Sequence, residues 1–134
     1  MLAGAAAGVA FPAAAAPQEF ARRAAALAAQ EIRFAPGESD VDDDQADVVV
    51  EHVHLVQDFP LDRIIVRAGC DGSEGRRDPG IALRRAQAVR RQLLLLGVQP
   101  GRVEAVAEPC AAETCTEGSC PAQDRRARIL HALD

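Results

Sequence analysis

Apolar and polar residues alternate with period two over Glu31-Ile32-Arg33-Phe34, which predicts a half-buried strand. Between Gln45 and Asp58 the pattern changes. Ala46, Val49, Val50, Val53, Leu55 and Val56 form a broad apolar face, which predicts a helix ended by Pro60. Arg63-Ile64-Ile65-Val66-Arg67 is a short β-rich run and reads as a buried strand. From Asp78 the helical period returns, with Ala82, Ala86, Val89, Leu93 and Leu96 on one face. Asp78 suits the N-cap and Pro79 the first helical position; Gly97 suits the residue past the end, with Pro100 beyond. Arg102 to Ala107 predicts a third strand and Arg126 to Leu130 a last one. Gly69 to Arg77 and Glu108 to Gln123 read as loops.

The order is βαβαβ, a loop, then β. Alternating strands and helices imply parallel pairs joined by crossovers. The expected fold is therefore α/β (α+β), a βαβαβ-β domain over 31–134 whose mixed sheet carries its helices on one face.

Two segments precede it. Residues 17–30 are rich in helix formers and read as a helical leader. Residues 1–16 are small, apolar and uncharged, as in the apolar region and Ala-x-Ala site of a secretory signal, with cleavage after Ala15 or Ala16. The usual basic segment of such a signal is missing, so either the true start lies upstream or the block is an Ala-rich tail. The block is shorter than the roughly 20 apolar residues that span a bilayer, so an integral membrane protein is not expected. It holds no cysteine for a lipid anchor.

Composition narrows the function. Hydrophobic residues make up 49% of the 134, with four Phe and no Trp or Tyr, so the core is aliphatic. Such a chain lacks the ring platforms on which sugars or single-stranded nucleic acids stack. Its net charge of −5 also opposes nucleic-acid binding, so no nucleic-acid partner is expected.

No nucleophile–base set appears, so no catalytic residues, cofactor or enzymatic activity are assigned. His52 and His54 are two apart on a helix, face different ways, and read as ordinary surface or boundary residues. The acidic run at Asp40 and Asp42 to Asp44 lacks the glycine and terminal Glu of a calcium loop; it reads as acids favoured at a helix start. Cys110, Cys115 and Cys120 share one loop, and Cys70 is remote. In an exported chain an even count favours two disulfides, with three pairings open and one bridge expected within the 108–123 loop. Cys70 and Cys110 follow two strands expected to be parallel, on one rim of the sheet. Free thiols and a zinc site are the alternatives, the latter without the close C-x2-C pairs usual for one. No metal site is assigned.

Several segments, taken in order, carry a resemblance. Ile32-Arg33-Phe34 is similar to an opening I-x-F strand. Val66 to Asp71 stands where a strand runs into Gly-His-Thr-Asp. Asp78 to Val89 follows Asn-x-x-Leu-Ser-x-x-Arg-Ala-x-x-Val. Leu96-Gly97-Val98 follows, and Asp124-Arg125-Arg126-Ala127-Arg128-Ile129 matches Asn-Arg-Arg-x-x-Ile. Residues 31 to 130 thus resemble the OmpA-like peptidoglycan-binding domains of bacterial envelopes. Of Gly-His-Thr-Asp only Asp71 is kept in register, and Asp78, Ala82 and Asp124 replace Asn, Ser and Asn.

The resemblance implies a periplasmic or cell-envelope module that binds the diaminopimelate of the peptidoglycan stem peptide. Asp71 would accept from the ligand amine, and Arg85 would clamp its carboxylate with a two-pronged fork. The resemblance leads us to expect the two facing one another across a shallow, solvent-facing pocket, with Asp78 and Arg126 in support. The alternative is a structural domain that kept the fold, lost the ligand and serves an envelope protein partner.

Overall fold

The alternating segments pair into a four-stranded sheet in the computed structural model, which describes residues 15–59, 62–112, 115–116 and 118–133. The leader read at 1–16 lies outside the described residues except for its last two. The elements in chain order are α1 (Ala15–Ala28), β1 (Ile32–Arg33), α2 (Ala46–Asp58), β2 (Asp62–Ala68), α3 (Gly72–Arg77), α4 (Ile81–Leu95), β3 (Val103–Ala107) and β4 (Arg126–Leu133). The sheet order is β1-β4-β2-β3. β2 and β3 are parallel, with Ile64 opposite Val103. β4 runs antiparallel to both β2 and β1, with Val66 opposite Ile129 and Ile32 opposite Ala127. The sheet is mixed, as expected.

Period two sorts its faces. Ile32, Ile64, Val66, Ala68, Val103, Ala127 and Ile129 point inward, onto Val49, Val53 and Val56 of α2 and Ala86, Val89 and Leu93 of α4. The other face is charged. Arg33 and Arg67 are exposed there, and Arg126 and Arg128 pair with Glu31 and Glu108. Among the described residues no helix is long and apolar enough to cross a membrane.

α1 packs on α2 and β4. Its Phe20 is buried, edge-on to Phe59 at 5.2 Å, while Arg23 binds Asp58 at 2.7 Å. Nearby lies a departure from the sequence reading. His52 is no surface residue: it is fully buried, stacked on His131 with Nδ1 2.6 Å from its Nε2. The wide apolar face of α2 wraps past Val49 and Val53 and takes His52 inside with them.

α4 also starts later than its cap signals imply. Asp78 is not its N-cap; Gly80 is, and Pro79 lies outside the helix. The backbone N–H of Asp78 donates to Glu74 and ends the preceding helix α3, while its carboxylate is held by Arg84. That short helix occupies part of the segment read as a loop, and Asp71 caps it. The other end of α4 follows the sequence. Gly97 has φ +103°, the Gly97 N–H donates to Leu94 and the Val98 N–H to Leu93, a Schellman close.

Candidate functional site

Asp71 follows β2, where the parallel β2–β3 pair ends, and begins α3. Its carboxylate Oδ1 accepts the Glu74 N–H at 2.8 Å, and Glu74 Oε1 accepts the Asp71 N–H at 3.1 Å. This reciprocal capping box arises from the D-x-x-E spacing. It turns the Glu74 side chain back over the end of the sheet. From the second turn of α4, Arg85 reaches the same point.

The two meet as a buried ion pair. Arg85 Nη1 donates to Glu74 Oε1 at 2.8 Å and Nη2 donates to Oε2 at 2.5 Å, with side chains 0% and 1% exposed. Oε2 also accepts the Gly37 N–H at 2.7 Å. The other Arg85 donors go to the carbonyls of Glu38 (2.8 Å), Gly69 (3.1 Å) and Ala35 (3.4 Å). All five N–H donors of the guanidinium are thus engaged. Phe34 lies beneath it, ring centre 5.0 Å from the central carbon, so the I-x-F strand also supports the arginine.

Burial alone would raise the Glu74 pKa. Hydrogen bonds from Arg85, Gly37 and Asp71, and the Arg85 charge, outweigh it and hold the carboxyl below its usual range. Glu74 is therefore ionised at neutral pH. A cleft of about 190 Å³ beside it is lined by Gly37, Glu74, Arg77, Asp78 and Ile81.

Asp71 and Arg85 are thus brought to one place, but not face to face across an open pocket. Glu74 stands between them, and Asp71 is only 2% exposed. The second Asp71 oxygen is held by Arg125 at 3.1 Å, and Arg125 Nε donates to the Phe34 carbonyl at 3.0 Å. Arg126 therefore does not buttress Asp71; it turns to the charged face of the sheet and pairs with Glu31 at 3.5 Å. Arg126 opens β4 beside the inward-facing Ala127, so the pleat turns it to the opposite face, whereas Arg125 lies just before the strand. Asp78 is not at the site's polar centre either. It lies on the cleft wall, paired with Arg84, whose hydrogen bond lowers its pKa.

The cysteines close the same rim. Cys70 bonds to Cys110 and Cys115 to Cys120, with Cα separations of 4.6 and 5.2 Å. The first bridge joins the segments following β2 and β3. Gly75 is required beneath it, because a Cβ there would lie 2.9 Å from the Cys110 Cβ. The second bridge lies over Asp71: its sulfurs and the Asp71 carboxylate are within 4.8 Å of one another. Arg76 ties that loop down through the Cys115 carbonyl at 2.8 Å. Both sulfur pairs are consumed as disulfides, so no thiolate is offered to zinc.

The sequence reading missed Glu74 and Arg125. The D-x-x-E capping spacing was a visible signal for Glu74. For Arg125 the signal was its place in the Asp-Arg-Arg motif.

No match was found among curated proteins. Among solved structures, the chain is similar to the peptidoglycan-associated lipoprotein from Burkholderia pseudomallei, with TM-score 0.66 and 25% identity over 76% of this chain and 89% of that one. It shares its fold with the C-terminal domain of Helicobacter pylori MotB, with TM-score 0.61, 18% identity and coverage of 78% and 84%. The cell wall anchor of the T6SS from Pseudomonas aeruginosa has the same fold, with TM-score 0.60, 20% identity and 76% of each chain covered. The family model matching residues 33–128 runs from β1 to β4 and includes Asp71, Glu74 and Arg85. With this match over most of its length, the chain belongs to the OmpA family.

Proposed function

We propose that this domain is a non-catalytic module of the cell envelope that associates with peptidoglycan through the diaminopimelate of the stem peptide. The observation that carries the reading is the cradle at Arg85. A guanidinium fork and two backbone N–H groups, from Gly37 and Asp71, converge on one carboxylate beside the acceptor Asp71. Diaminopimelate offers a carboxylate for the fork and an amine for Asp71. Membership of the OmpA family supports the reading, as does likeness to a peptidoglycan-associated lipoprotein. Two disulfides fit an oxidising compartment such as the periplasm.

One observation favours a second reading. Every Arg85 donor is already satisfied inside the protein, which suits a domain that kept the fold and serves an envelope protein partner instead. Retention on purified peptidoglycan sacculi separates the two. The first reading expects the wild type to be retained, and Asp71→Asn and Arg85→Lys to be retained less while still folded by circular dichroism. A wild type that stays in the supernatant rejects it in favour of the second.

A further inference from the structure

Capping α3 requires only one of the hydrogen bonds that Glu74 makes, the one from the Asp71 N–H. The other three come from elsewhere. Gly37 supplies an N–H from the loop after β1, and Arg85 supplies both prongs of its fork from α4. Donors from three separate chain segments therefore converge on this carboxylate, which is far more than a six-residue helix needs. The arrangement is a receptor for a carboxylate, and its occupant is tethered to the protein.

The surroundings favour an occupant that can leave. Glu74 lines a cleft of about 190 Å³ whose other walls are Gly37, Arg77, Asp78 and Ile81, so the residue borders an opening although its side chain is only 1% exposed. A side chain of three rotatable bonds can swing into that cleft with its charge toward water. The vacated position would present the Arg85 fork and the Gly37 and Asp71 N–H groups to an incoming anion. The Asp71 carboxylate beside it retains lone pairs for an ammonium group.

We propose that Glu74 is an internal stand-in for the ligand carboxylate, so that a zwitterionic amino acid such as diaminopimelate enters this site only by displacing it. The inference rests on the reading of Arg85 as the ligand clamp. It turns an apparent loss of the site into a self-occupied one. Affinity is then lower than an open site would have by the cost of expelling Glu74.

The test is calorimetric titration of the full chain with meso-diaminopimelate and, separately, with acetate. Glu74→Ala should bind both saturably, with diaminopimelate affinity at least tenfold above wild type. Glu74→Gln keeps the shape and the capping acceptor but not the charge, and should gain in the same direction. It carries the test if Glu74→Ala does not fold. If neither folded variant binds either probe more tightly than the wild type does, the inference is overturned. Sacculus retention, run in parallel, separates this outcome from the peptidoglycan reading. A retained wild type whose variants gain nothing rejects the stand-in role alone. Variants that gain diaminopimelate while no chain is retained uphold the stand-in role and reject the peptidoglycan reading.

Discussion

Arg85 and Glu74 meet inside the protein through two parallel N–H···O bonds of 2.8 and 2.5 Å, and neither side chain is more than 1% exposed. The pair joins α3 to α4 at the end of the sheet. It makes the site a structural element as well as a chemical one.

Removing one partner leaves the other charged, buried and unpaired. Glu74→Ala and Arg85→Ala should each lose about 3–5 kcal/mol in urea unfolding at neutral pH. Glu74→Ala combined with Arg85→Ala should lose less than the sum of the two, because no lone charge remains buried. Additive losses would show that the two side chains act independently.

Arg125 and Arg126 are neighbours with different burdens. Arg125 binds the buried Asp71 and the Phe34 carbonyl, so Arg125→Ala should lose about 1.5–3 kcal/mol. Arg126 pairs on the partly exposed charged face, and Arg126→Ala should lose about 0–1 kcal/mol. Equal losses in chemical denaturation would contradict this assignment.

Acid should weaken the fold through His52. Burial, and then the facing His131, lower its pKa to about 3, against a weaker raising contribution from the Leu27 backbone. The unfolded chain takes up a proton below about 6.5, which the folded chain refuses until about pH 3. Stability from this group is thus complete above pH 6.5 and falls as pH drops, by up to about 1.4 kcal/mol per unit for one proton. Glu74, also lowered, adds loss in the same direction below its usual range. Unfolding free energies at pH 7, 5.5 and 4 should show the slope, and His52→Phe should flatten its upper part.

The two bridges should differ in weight. In the chain-entropy picture a cross-link over 40 residues is worth about 4 kcal/mol and one over 5 residues about 2 kcal/mol. Cys70→Ser/Cys110→Ser should therefore lower the unfolding midpoint more than Cys115→Ser/Cys120→Ser. Thiol titration of the denatured, unreduced chain should find no free thiol, and four would refute both bridges.

The local pattern of the chain determined most of its architecture. Period two at Ile32 and Ile64, period 3.6 from Ala82 to Leu93 and the glycine at 97 each encode a conformation within a few residues. The sheet, the helices of its inner face and the close of α4 are therefore legible in the sequence. So was the meeting of Asp71 and Arg85 at one rim, through the motifs around them. What the tertiary structure decided is who pairs with whom. The cap signal at Asp78 was overridden because its backbone N–H was needed to end α3 and its carboxylate went to Arg84. His52 went inside because His131 of β4 lies against that face of α2. Arg125, not Arg126, holds Asp71 because Arg125 lies in the turn before β4, while the pleat of β4 turns Arg126 outward. Glu74 fills the Arg85 fork because β2, α3 and α4 converge where β2 ends. Ion pairing depends on distances in space between residues far apart in the chain, and local periodicity carries no information about those distances.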